Sequence, residues 1–146
     1  MKGKIIAVCI SDTKGVRKTP CPSAMFLENY GMENDAHAES GIKRQVSLLS
    51  VGSIEKMKSM GLNVGPGDFA ENLTVEGIEL YTLLPGTRLA VGDEVILEIS
   101  QIGKACHTGC AIFKEVGKCI MPKEGVFAKV VKGGQIRACD EVEVMT

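Results

Sequence analysis

The sequence predicts a mainly β fold, a barrel or sandwich with about two short helices. Two observations carry that prediction. The regular segments are short, rich in Val, Ile and Leu, and separated by glycine turns, which is how an antiparallel sheet that closes on itself reads. Helical spacing of apolar residues occurs in only two places. A chain of 146 residues, 45% hydrophobic and 24% charged, fits one domain over 1–146, able to bury roughly two-thirds of its unfolded surface.

Strands are expected at 4–10, 45–49, 71–75, 87–91, 94–101, 126–132 and 136–144. In "DEVILEISQ", Val95, Leu97 and Ile99 alternate with Ile96, Glu98 and Ser100, so one face is apolar and the other mixed. The first helix is expected in "SVGSIEKMKSMG", where Val51, Ile54, Met57 and Met60 fall three apart and Gly61 supplies the stop. The second is expected in "TGCAIFKEVG", with Thr108 as N-cap, Ile112 and Val116 on one face, and Gly117 as the stop. Methionines at this spacing belong to a core. "GTRLAVGDEVIL" from Gly86 and "GGQIRACDEVEV" from Gly133 echo each other, suggesting one hairpin unit used twice. Cys139 then stands where Gly92 stands in the other copy, as a turn residue without chemistry.

Composition narrows the function. With 17 basic and 18 acidic residues the net charge is -1, so no broad field exists to hold nucleic acid or an anionic membrane. Aromatics are 4% with no tryptophan, which disfavours a base-stacking platform. The apolar run after "MKGK" is too short for a secretory leader, and no segment has the length of a membrane helix. The chain reads as soluble and cytoplasmic, its six cysteines as reduced thiols, and "NLT" at 72–74 as a chance sequon.

Three of those cysteines and one histidine crowd into "GKACHTGCAIFKEVGKC", residues 103–119. Cys106, His107, Cys110 and Cys119 are enough soft ligands for zinc, but their spacing departs from paired C-x2-4-C ligands. A reactive thiol has a firmer basis: Cys106 precedes the expected helix, whose N-terminal dipole and free N–H groups favour a thiolate. Cys110 ranks second, inside the first turn, and Cys119 follows the helix, where the dipole has the opposite sign. A second cluster, "GMENDAHAESGIKRQVSLLS", places Asp35, His37, Lys43, Arg44 and Gln45 ahead of a strand. Cys106, His37 and Asp35 could form a nucleophilic triad. "NVGPGDFAENLTVEG" lacks the phosphate-loop spacing, and its charged residues read as solvated.

In order along the chain, "GMENDAHA", "RQVSLLS", "GDFAENLTVEGIEL" and "LLPGTRLAVGDEVILEISQIGKACHTGC" resemble the motifs of the MOSC domain family, named for the C-terminal part of molybdenum cofactor sulfurases. Asn34 and Ala70 stand where the family usually has glycine, and Ala105 where it has proline. The likeness is to small stand-alone members. It implies a β-rich barrel like that of pyruvate kinase, binding of the molybdenum cofactor (molybdopterin), and a family cysteine at Cys106 that carries a persulfide or ligates molybdenum. Cys110 is its candidate helper. Lys14, Lys18, Arg44 and Arg88 are candidates for the cofactor phosphate, Arg44 foremost, and His37 and Asn72 for pocket-lining residues. Larger members carry a pyridoxal-phosphate desulfurase domain that this chain has no room for, so the implied partners are a cysteine desulfurase or other sulfur donor, or molybdopterin-synthesis proteins. Two alternatives stand beside sulfur transfer: a molybdenum-dependent reductase of N-hydroxylated compounds with an electron-donor partner, and a zinc-stabilised non-catalytic binding domain.

Overall fold

The computed structural model describes residues 1–14, 16–103 and 120–145. Its centre is a barrel of seven strands, in wall order β1 (Lys2–Ile10), β6 (Leu73–Glu76), β5 (Val46–Ser50), β9 (Val126–Lys132), β8 (Val95–Ile102), β7 (Arg88–Val91) and β11 (Glu141–Val144), closed where β11 pairs with β1. β2 (Thr19–Cys21) extends the sheet at the far end of β1. A small second sheet is formed by β10 (Gly134–Arg137), β3 (Ser23–Leu27) and β4 (Gly31–Met32).

Alternation does what the sequence predicts on β8: Val95, Leu97 and Ile99 are buried while Ile96, Glu98 and Ser100 are only half-covered. Leu97 packs inside the barrel with Ile5, Val8, Leu48, Leu73, Leu89, Ala128 and Val142. Each buried Val, Leu or Ile side chain contributes about 1.5–3 kcal/mol by leaving water. A second apolar cluster, made by Leu49, Ile54, Met57, Val64, Phe69, Ala70, Met121 and Phe127, is separate from the barrel interior.

Not every pairing is antiparallel. β5 and β6 run parallel, Leu48 beside Leu73, because the chain between them crosses over through α1 (Val51–Ser59), the connection a parallel pair requires. Ile54 and Met57 of the expected stripe are buried, but Met60 is 55% exposed, being the residue that ends the helix. Among the described residues the helical content is α1, a single turn α2 (Met121–Glu124) and a 3-10 turn at Leu80–Thr82. The expected count of two short helices is therefore slightly off, and the one expected over 108–117 lies outside the described residues.

The repeated unit is a hairpin only once. β7 and β8 pair directly, Val91 opposite Val95. β10 instead joins β3, while β11 joins β7 and β1. The shared turn chemistry is nevertheless real: Gly92 and Cys139 have φ of 64° and 75°. β2 and β4 were not legible in the sequence, because "TPC" and "GM" are too short to show alternation, and β3, "SAMFL", was not expected either.

Candidate functional site

Three loops converge beyond the end of β1. Residues 11–18 follow β1, residues 33–38 follow β4, and residues 65–72 lead into β6. Their backbones are tied together by Ala36 N–H donating to the Ser11 carbonyl at 2.8 Å and Lys18 N–H to the Gly67 carbonyl at 2.8 Å. Gly67 has φ of 86°, and a Cβ there would run into the Lys18 carbonyl. The second and third of these loops carry the "GMENDAHA" and "GDFAENL" motifs.

Asp35 is the hub. Its Oδ1 accepts from Lys18 Nζ at 2.7 Å and from Ser11 N–H at 3.1 Å, and its Oδ2 accepts from His37 N–H at 3.1 Å. Both Lys18 and Asp35 side chains are fully shielded from solvent. Burial would raise the Asp35 pKa, but the Lys18 bond and charge, with the two N–H donors, hold the carboxyl below the usual carboxylate range. Burial moves Lys18 below the usual lysine value despite Asp35. With an anion at 2.7 Å, we take the pair as ionised at neutral pH. Lys18 Nζ also lies 3.0 Å from His37 Nδ1.

Beneath this trio sit two more titratable groups. Glu71 is fully buried, and burial pushes its carboxyl up to about 7 even though Thr74 Oγ1 and the Phe69 and Gly67 N–H groups donate to it. Cys9, also fully buried, is pushed up to about 12 by burial first and by Glu71 second. Reading the charged residues of this loop as solvated is thus corrected at Glu71. The missed signal is its place two residues ahead of the apolar strand "LTV".

The sequence-predicted residues divide. Lys18 and His37 come together with Asp35, but as a buried ion pair beside a ring, not as a free phosphate ligand. The Asp–His half of a nucleophilic triad is not assembled, because Lys18 occupies Nδ1 while Asp35 Oδ2 stands 3.9 Å away. Asn72 is fully buried and ties strands together: its Nδ2 donates to the Cys9 carbonyl at 3.2 Å and its Oδ1 accepts from Ser47 N–H at 3.0 Å. Lys14 is exposed on the first loop. Arg88 pairs with Glu98 at 3.1 Å across β7 and β8, away from the three loops.

Arg44 stands elsewhere on the wall, exposed, its guanidinium 5.7 Å above the Phe127 ring. Phe127 is the cross-strand partner of Gln101, two residues before Gly103. The Ser100 hydroxyl is shared between the Lys43 and Phe127 carbonyls, so the residues around Arg44 are fastened to the end of β8. Phe69 packs in the same cluster as Phe127, and Gly67, two residues before it, holds Lys18. Cys106 and Cys110, with Cys119 and His107, lie outside the described residues, in the stretch that leaves β8 after Gly103. Among the described residues no group of three His, Cys, Asp or Glu side chains is arranged to hold a metal ion, and no helix is long and apolar enough to cross a membrane.

The fold has solved counterparts. YuaD from Bacillus subtilis superposes with a TM-score of 0.81 at 20% identity, over 99% of this chain and 96% of that one. YiiM from Escherichia coli gives 0.72 at 18%, over 100% of this chain and 70% of that one. YiiM from Geobacillus stearothermophilus gives 0.73 at 17%, over 99% and 75%. At these identities the likeness is one of fold. No curated protein matches the sequence. The MOSC domain family matches residues 34–143, from the loop that holds Asp35 and His37 through the strand that closes the barrel. With more than half of its length matched, the chain belongs to the MOSC domain family, which is associated with binding of the molybdenum cofactor.

Proposed function

We propose that this MOSC domain binds molybdopterin or its molybdenum form and carries sulfur on Cys106 in the biosynthesis or sulfuration of that cofactor. The observation that supports it is Arg44. It is exposed and has no carboxylate partner among the described residues, and it stacks over the ring paired with the end of β8. Three peptide links separate Gly103 from Cys106. A stacked guanidinium keeps its planar N–H edge for a phosphate, and exposed Lys43 adds charge beside it. This donor set fits the phosphate of the cofactor.

The described cysteines favour the same stretch by default. Burial raises Cys9 to about 12 and also raises Cys21, so both stay protonated and poor as nucleophiles or soft ligands. Cys139 is a turn residue. This supports looking to the 103–119 stretch for the thiolate, where the resemblance to the family aligns Cys106. As a carrier, the Cys106 thiolate attacks the outer sulfur of a donor persulfide. The donor S–S bond breaks, the donor leaves as a thiolate, and Cys106 holds the persulfide, with no net oxidation. When bound, the cofactor supplies the centre that accepts or ligates sulfur, and the donor is a cysteine desulfurase or another persulfide protein.

The test is binding of molybdopterin and transfer of labelled sulfur with purified protein. Arg44→Ala is expected to weaken cofactor binding about tenfold, the worth of one charge-assisted hydrogen bond. Cys106→Ala should retain binding and lose transfer. Unchanged transfer in Cys106→Ala, or no cofactor affinity in the parent, overturns the reading. Stable molybdenum near one per chain would replace sulfur carriage with the reductase activity.

A further inference from the structure

A groove of about 340 Å³ opens beside the three loops. Of its lining residues, Ile10 precedes Ser11, and Glu33 and Asn34 precede Asp35, to which the Ser11 N–H donates. The apolar lining is Ile10, Cys21 and Ala24, which also pack against the barrel core, and Met25, which is 46% exposed. With the Cys21 thiol kept neutral by burial, Glu33 carries the only charge among the described lining residues. Gln135 is already engaged: its Nε2 donates to Ser23 Oγ at 3.1 Å, and its Oε1 accepts from Arg137 Nη2 at 2.8 Å. The Glu33 carboxylate and the Asn34 amide have no such partner among the described residues.

That lining selects a ligand by its chemistry. A phosphate or carboxylate would meet an anion with no cation to offset it. A flat ring fits, its face on the apolar lining and against the Met25 thioether. Its edge can offer two adjacent N–H groups to one carboxylate, the paired arrangement in which charge-assisted hydrogen bonds are strong. The volume falls in the range of about 300–1,000 Å³ that small-molecule sites occupy. We propose that this groove binds the amino-oxopyrimidine edge of a pterin, with Glu33 accepting from the ring N–H and the adjacent amino group, Asn34 donating its amide to the ring carbonyl, and Met25 covering the ring face. The edge follows from the lining. That its carrier is a pterin rests on the function proposed above.

Fluorescence titration of the full chain with hydroxymethylpterin, which has the ring and no phosphate, tests the groove without drawing on Arg44. Saturable binding is expected, and none up to about 1 mM overturns the inference, while molybdopterin binding still decides the cofactor reading by itself. Glu33→Gln sets an amide donor against the donor edge and should weaken pterin binding about tenfold. Asn34→Gly, at a left-handed position that glycine adopts freely, keeps the fold and should weaken it about threefold. Lumazine, which has a carbonyl in place of the amino group, should bind about tenfold more weakly than the pterin. Equal affinity in Glu33→Gln, or for lumazine, overturns the pairing with Glu33. Guanosine carries the same edge on a purine, and its tighter binding would overturn the choice of a pterin. Pterin binding that follows these differences in a protein with no affinity for molybdopterin overturns the proposed function alone.

Discussion

Lys18 Nζ and Asp35 Oδ1 meet at 2.7 Å with both side chains fully withdrawn from solvent. Their mutual attraction offsets a large desolvation cost, so removing one partner exposes that cost in the other. Asp35→Ala should destabilise the fold by about 3–5 kcal/mol, read as a lower urea midpoint. The double variant Lys18→Met, Asp35→Leu should recover most of it, and failure to recover would show that the loops need the charge itself. The folded pKa of Asp35 is depressed, so its contribution is present above the ordinary value of 3.8 and lost as pH falls through the folded value.

Glu71 has the opposite sign. Its folded pKa stands near 7 against an ordinary 4.5, so the native state holds a proton that the unfolded chain has released. Stability should therefore decline as pH rises from about 4.5 to 7 and level off above, by about 3 kcal/mol at most. Glu71→Gln mimics the protonated acid, with its amide facing Thr74 Oγ1 and its oxygen facing the Phe69 N–H. It should flatten the curve over that range. Denaturation midpoints of both proteins across that range check this, and parallel curves would sink it.

Asn34 and Ala70 hold φ of 69° and 64°, the left-handed region that costs a Cβ-bearing residue about 1–2 kcal/mol. Ala70→Gly should gain up to about 0.5 kcal/mol once the flexibility of glycine in the unfolded chain and the loss of a buried methyl group are subtracted. Asparagine tolerates this region better, so Asn34→Gly should gain less. A rise in the urea midpoint at constant slope is the expected readout for both.

Thiol labelling near pH 8 should separate the described cysteines. Cys139 is exposed and Cys9 fully buried, so Cys139 should react at once and Cys9 only on unfolding. Cys139→Ser should leave cofactor binding and sulfur transfer unchanged, because it sits in the turn before β11. Rapid modification of Cys9 in the folded protein would contradict both its burial and its raised pKa.

Much of the barrel is legible because strand alternation is local. "DEVILEISQ" places Val95, Leu97 and Ile99 inward with no knowledge of what they pack against, since successive side chains must point to opposite faces. The same holds for the helix stop at Gly61 and the turn at Cys139. The parallel pairing of β5 with β6, and the diversion of β10 to a second sheet, were not legible, because partner choice depends on segments far apart in sequence.

The sequence by itself determined the fold class, the family motifs and the residues that could carry chemistry, because periodicity, glycine placement and side-chain type are properties of short stretches. Only the tertiary structure decided the surroundings of Lys18, Asp35 and Glu71. In the sequence Lys18 reads as a candidate for the cofactor phosphate, and Glu71 as a solvated loop charge. Both are buried because loops 11–18, 33–38 and 65–72 close over them. Burial turns a charge into a fixed pair or a raised pKa, and the contact that buries it is made between residues that sequence spacing cannot bring together.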